Sequence, residues 1–175
     1  MLDMNLILLD RDGTLIPNEI HKTTDTPINK NLIKLLKEHF KDSLCFIITN
    51  QAGVALGYYS DKIVNEINEY LITYLKNEGI NAVDHNYCPY VDYNWALKTG
   101  NLVKVRYVQN CTKRKPSTQM VYEILDKHKL PIELFEDIIV FGDRHEDKEM
   151  AEALGAVYIE IDFDTPYEEL EKKIK

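Results

Sequence analysis

Apolar and polar positions alternate between two spacings along this chain. Asn5–Leu9 is a short, nearly continuous apolar run that stops at Asp10, the pattern of a strand buried on both faces. Gly13 and Pro17 mark the loop after it. From Asn29 to Phe40 the apolar residues Leu32, Ile33, Leu35, Leu36 and Phe40 recur at helical spacing with lysines between them. Leu44–Ile48 is a second apolar strand, ending in Thr49-Asn50-Gln51, and Gly53 and Gly57 punctuate the next loop. Ser60 is placed to cap a helix running to about Lys76, with Ile63, Ile67, Tyr70, Leu71 and Tyr74 on one face and Gly79 at its end. Ala82–Cys88 predicts a third strand. Pro89–Asn110 is irregular, with a further strand expected at Leu102–Val108. Ser117 or Thr118 caps a predicted helix to about Lys129. Ile138–Phe141 is a strand ending in Gly142-Asp143, followed by a helix over about Asp147–Leu154 and a strand at Ala156–Ile161. Thr165-Pro166 starts a last amphipathic, solvated helix.

Strands alternating with helices predict an α/β fold with a mainly parallel sheet flanked by helices. The length of 175 residues suits a single domain over residues 1–175, with an insert at about 89–110. In such sheets ligands bind beyond the carboxyl ends of the strands. Three polar clusters fall at those ends: Asp10–Thr14, Thr49–Gln51 and Gly142–Asp147.

Composition sharpens this picture in one respect. The net charge of −8 is unevenly spread: residues 131–171 hold 14 acids against 2 bases, while residues 1–130 are close to neutral. That balance argues against a general nucleic-acid binder, because phosphate backbones attract basic surfaces. No apolar stretch approaches ~20 residues, so no membrane span is expected. The first residues lack a basic n-region, and Leu6–Leu9 is too short for a signal core. Three cysteines, Cys45, Cys88 and Cys111, are too few and odd in number for a disulfide scaffold, which fits a reducing cytoplasm.

The chemistry-bearing residues gather in the polar clusters. Asp10-Arg11-Asp12-Gly13-Thr14 sets two carboxylates two residues apart at the mouth of a buried strand. Carboxylates there cost desolvation unless a cation or donor compensates. Read alone, Asp-x-Asp-Gly is as well a strand-end turn as a site. Lys113-Arg114-Lys115 before Pro116 is a local cationic cluster suited to an anion.

The whole string Asp-x-Asp-Gly-Thr after Leu-Ile-Leu-Leu, with Gly142-Asp143 and Asp147 later in the chain, resembles the haloacid dehalogenase (HAD) superfamily, mostly phosphatases. Thr49-Asn50-Gln51-Ala52-Gly53-Val54-Ala55 and Arg114-Lys115-Pro116 are similar to the histidinol-phosphate and heptose-bisphosphate phosphatase branch. The resemblance implies a Rossmann-like fold, with Asp10 as nucleophile and Asp12 as general acid and base. It further implies that Thr49 and Lys115 hold the phosphoryl group and that Asn50, Gln51 and Arg114 bind substrate. Mg²⁺ would be held by Asp10, the Asp12 carbonyl and Asp143. Asp147 is expected to support the site or cap the following helix, and His145, alone among His21, His39, His128 and His145, to face it. The 36 residues between Asp12 and Thr49 leave no room for a large cap domain.

Two departures stand out. Leu56 occupies a position where the heptose-bisphosphate enzymes generally carry arginine, and the branch's four-ligand zinc loop is reduced here to Cys88 and Cys111. Tetrahedral structural zinc needs four ligands, so none is expected, and both thiols read as packed. Cys45 reads as core. The resemblance implies a monomer acting on a small phosphorylated metabolite such as histidinol phosphate or a sugar (heptose) phosphate. A polynucleotide 3′-phosphatase remains an alternative, because Tyr90, Tyr93, Trp95 and Tyr107 interleave with Lys98, Lys104 and Arg106 in the insert. The preferred reading of those aromatics is a small satellite core. A catalytically idle binding module is the third reading.

Overall fold

A computed structural model describes residues 4–110 and 113–175. Five strands form one parallel sheet: β1 (Leu6–Leu9), β2 (Leu44–Asn50), β3 (Ala82–Cys88), β4 (Ile138–Gly142) and β5 (Val157–Glu160), in the order β3-β2-β1-β4-β5. The central strand β1 is buried throughout, as its unbroken apolar run requires, and pairs Leu6 with Leu44 on one side and Ile138 on the other.

Alternate side chains of these strands enter two separate cores. Ile7, Leu9, Ile47 and Phe141 meet α1 (Lys30–His39), α2 (Asp61–Asn77) and the end of the chain at Leu170. Leu6, Leu8, Phe46, Ile48 and Val140 meet Met120, Val121, Ile124 and Leu125 of a helix on the opposite face, together with Met150 and Ala151 of the next one. Tyr93–Lys98 forms a short helix, α3. Those opposite-face helices are α4 (Gln119–Lys127) and α5 (His145–Leu154), and the chain closes with α6 (Tyr167–Lys173).

Helix starts follow local chemistry. Asn29 caps α1, its Oδ1 accepting from Leu32 N–H at 3.0 Å, and Ser60 caps α2 through Ile63 N–H. For α4 the cap position is Thr118, whose side chain does not cap the helix; the Ser117 hydroxyl accepts from Gln119 N–H at 3.1 Å.

The insert differs from expectation. Leu102–Val108 forms no strand: Val105–Tyr107 is a 3-10 turn, and only Val108 bridges to Val91. The Lys104 N–H bonds to Ala55 O at 2.8 Å, so this backbone ties to the 52–59 loop and builds no ladder. The aromatics do pack as a satellite core: Tyr90, Trp95 and Tyr107 gather around Val54, Ala55, Val64 and Val91, while Tyr93 stays exposed.

Candidate active site

The sheet order places β1 between β2 and β4, so their carboxyl ends deliver Asp10, Thr49 and Asp143 to one place. Asp10 continues the ladder, its N–H bonding Phe141 O at 2.9 Å, and its carboxylate is buried. Lys115 reaches it from the far side of the sheet. The Lys115 ammonium, also buried, donates to Asp10 Oδ1 at 2.7 Å, Asp147 Oδ1 at 2.5 Å and Ile48 O at 2.9 Å, which uses all three of its protons. Burial pulls the lysine down, but Asp10 and Asp147 outweigh it and hold Lys115 charged. Burial pushes Asp10 up to about 8 against the pull of Lys115.

Asp12, two residues on, has a different environment. Its carboxylate is gripped by Arg11, with Nε to Oδ1 at 2.9 Å and Nη2 to Oδ2 at 3.0 Å, and by Gln51 Nε2 at 2.7 Å. Arg11 is itself buried, donating to Gln51 Oε1 at 2.8 Å and Asn68 Oδ1 at 3.1 Å. Tyr59 OH donates to the same Gln51 oxygen at 2.7 Å. Gln51 Nε2 also reaches Thr49 Oγ1 at 2.8 Å, occupying an acceptor position and leaving the threonine hydroxyl to donate toward the cavity. The turn that carries Asp12 is closed by Leu15 N–H and Ile16 N–H on Arg11 O. Gly13 sits there at φ +91°, where a side chain would be strained and would run into the Asp143 carboxylate.

Asp10, Asp143 and Asp147 bring carboxylate oxygens within 4.8 Å of one another. Asp143 Oδ1 is buried without a hydrogen-bond partner, and burial pushes the Asp143 pKa up. Oxygen donors crowded in this way, at a cost in desolvation, fit a hard dication such as Mg²⁺, whose charge offsets that cost. Above this floor opens a cavity of about 370 Å³, lined among others by Asp10, Asp12, Thr49, Lys115, Trp95 and Arg114.

Comparison with known proteins decides the family. A D-glycero-beta-D-manno-heptose-1,7-bisphosphate 7-phosphatase from Rhodopseudomonas palustris is 30% identical over 150 residues, spanning 84% of this chain and 77% of that protein. The chain belongs to the heptose-bisphosphate phosphatase branch of the HAD superfamily. It is a phosphatase. A D-glycero-alpha-D-manno-heptose-1,7-bisphosphate 7-phosphatase from Photorhabdus laumondii is 29% identical over 155 residues, 87% of this chain and 79% of that one. No family model matches the chain. The fold is shared with the D,D-heptose 1,7-bisphosphate phosphatase of B. bronchiseptica, crystallised with magnesium and phosphate, at a TM-score of 0.65 and 22% identity over 97% of this chain and 87% of that one.

Within this HAD phosphatase the expected site residues fall into two groups. Asp10, Asp12, Thr49, Lys115 and Arg114 line the cavity, with Asp143 beside Gly13 next to its floor. Asn50 lines it too, but its amide is spent on the Lys115 backbone, accepting from Lys115 N–H at 2.9 Å and donating to Lys115 O at 3.2 Å. Gln51 is buried, donates to Asp12 Oδ2 and lies outside the cavity lining. Asp147 does both things expected of it: it pairs with Lys115 and accepts from Arg144 N–H at 3.2 Å at the start of α5.

Two histidine expectations are corrected. His145 points out from α5, 76% exposed and 3.0 Å from Glu149, because the helix turns its face to solvent. His21, read from the sequence as a surface residue, is buried: the loop after β1 folds back, and its Nε2 lies 2.6 Å from Pro17 O and 3.9 Å from Asp12 Oδ1. Sequence reasoning also missed Arg11, Tyr59, Asn68 and Arg144. Arg11 alone left a signal, since a cation between two acids at a strand end has to be neutralised somewhere. Cys45 is core and Cys88 is buried at the end of β3, whereas Cys111 lies outside the described residues.

Proposed function

We propose that this phosphatase hydrolyses a phosphomonoester of a small sugar-like metabolite by way of an aspartyl-phosphate on Asp10, with Mg²⁺. The observation that carries the reading is the contrast between two aspartates of one loop. Asp10 shares a buried ammonium with Asp147, whereas Asp12 is held separately by Arg11 and Gln51 at the cavity wall. Nucleophile and proton carrier need such different settings.

In the first step an Asp10 carboxylate oxygen attacks phosphorus and the ester P–O bond breaks; a dication held beside Lys115 would keep Asp10 in the ionised form that burial alone opposes. Asp12, in its acid form, gives its proton to the departing oxygen. In the second step Asp12 takes a proton from water as that water's oxygen attacks phosphorus, releasing phosphate and regenerating Asp10. Lys115 and the Thr49 hydroxyl stabilise charge on the phosphoryl oxygens, and Arg11 and Gln51 keep Asp12 aimed. Mg²⁺, held by Asp10, Asp143 and the Asp12 carbonyl, would supply positive charge against the phosphoryl group.

The nucleic-acid alternative loses ground because Tyr90 and Tyr107 turn into the satellite core, and Trp95 alone of the insert's aromatics lines the cavity. Turnover of p-nitrophenyl phosphate and of sugar phosphates by the pure protein tests the reading. Asp10→Asn is expected to lose more than about a thousandfold in kcat with the far-UV spectrum unchanged. Chelation is expected to abolish activity and added Mg²⁺ to restore it. An Asp10→Asn enzyme that keeps its rate, or no turnover of any ester by Mg²⁺-loaded protein, would sink the reading.

A further inference from the structure

The phosphoryl chemistry uses only the floor of the cavity. Its outer walls are built from different material: Leu56, Tyr58 and Trp95, with Arg114, Arg144 and Glu146. Trp95 comes from the insert, and its position is fixed. Its backbone N–H donates to Asp92 Oδ1 at 2.7 Å, and its side chain packs against the satellite core of Val54, Ala55, Val91 and Tyr107. That core is tied down by Tyr107 OH donating to Asp61 Oδ2 at 2.5 Å and by Lys104 N–H on Ala55 O. The indole is half-buried, with the Arg114 guanidinium 5.8 Å from the ring centre.

The charges on these walls cancel. Arg114 and Arg144 stand against Glu19 and Glu146, and Arg144 already donates to Asn18 Oδ1 at 3.0 Å. Leu56 adds apolar surface. A second phosphate would find no net positive charge here, only Arg114 Nη1 without a hydrogen-bond partner, whereas a flat apolar ring face would find an indole. The volume of about 370 Å³ accommodates one phosphoryl group and one ring, at the small end of the roughly 300–1,000 Å³ common for ligand sites.

We infer that Trp95 determines specificity by receiving the apolar face of an uncharged ring in the leaving group, so that the preferred substrate is a ring-bearing monophosphate and not a bisphosphate. This rests on the phosphatase reading for its turnover, though not for its binding.

The chain has a single tryptophan, so its emission reports this wall directly. In the native Mg²⁺-loaded protein, the non-hydrolysable phenylphosphonate is expected to change Trp95 emission saturably, and methylphosphonate to leave it unchanged. In kinetics, Trp95→Ala is expected to raise KM for phenyl phosphate and glucose 1-phosphate about three- to tenfold, the size of one aromatic contact, with kcat within about twofold. KM for methyl phosphate should not move, and Trp95→Phe should restore most of the loss. Equal losses on methyl and phenyl phosphate, or silent emission with phenylphosphonate, would show that Trp95 is only structural. A kcat/KM for fructose 1,6-bisphosphate about tenfold or more above that for glucose 1-phosphate would overturn the uncharged leaving group. Should no ester be turned over while phenylphosphonate still moves the emission, the hydrolytic reading fails and the ring-binding wall stands.

Discussion

Arg11 sits between the two aspartates in sequence and turns its guanidinium onto Asp12. Its guanidinium is 1% exposed and meets Asp12, Gln51 and Asn68, partners that lie 1, 40 and 57 residues away along the chain. A buried ion pair of this kind costs desolvation to build, and removing one partner strands the other. Arg11→Met is therefore expected to destabilise the protein by about 3–5 kcal/mol. In the folded fraction it should also lower kcat more than it changes KM, because Asp12 loses its orientation. Urea unfolding and steady-state kinetics measure the two effects separately. At this scale the polar groups that gather at the strand ends were legible and their supports were not. Asp10, Thr49, Lys115 and Asp143 stand at strand ends or in short motifs. Arg11, Asn68 and Tyr59 acquire their roles through contacts between distant segments, which local spacing does not encode. Gln51 shows the boundary: its position was legible, but which atoms it would face was not.

Helix α1 shows how an element and the site are joined. Asn29 Oδ1 caps the helix on Leu32 N–H, while its Nδ2 donates to Thr14 O at 3.0 Å, in the loop that carries the aspartates. One buried side chain thus starts a helix and pins the turn after Asp12. Asn29→Ala is expected to cost about 1–2 kcal/mol of stability. Asn29→Ser keeps a capping oxygen and loses the donor to Thr14 O, so it should recover part of that loss in the same unfolding experiment. Periodicity located the core helices and all five sheet strands because burial on one or both faces repeats in the sequence. It failed in the insert. Leu102, Val103 and Val105 look like strand residues, but Leu102 is 95% exposed and Val105 is 84% exposed. Only Val91 pairs with this segment, so its β-branched residues never found a neighbouring strand to pack on.

Over the whole molecule the uneven charge seen along the chain is met in space. The acidic α6 lies beside α1, where Lys34 sits 3.7 Å over the Tyr167 ring and His39 lies 3.8 Å from Glu171. Such exposed pairs contribute little each. A more consequential joint ties the sheet edge to the opposite helix layer. Asp84 on β3 accepts from Lys127 Nζ at 2.6 Å, lies 2.8 Å from His128 Nε2, and accepts from His85 N–H at 2.8 Å. Burial raises the Asp84 pKa, but the bonds from Lys127, His128 and the His85 N–H outweigh it and hold the carboxyl at about 2. A carboxyl depressed in the folded state stabilises above its ordinary value near 3.8 and loses that contribution as pH falls toward 2. Discounted for solvent screening, the effect at neutral pH is about 1 kcal/mol. Asp84→Asn should thus unfold at lower urea than the parent protein at pH 7 and by the same margin at about pH 5. The margin should narrow at about pH 3, where Asp84 of the unfolded parent chain has taken up a proton that the folded state still resists. A gap that stays constant down to that pH would mean that packing around Asp84, and not its charge, joins the two layers.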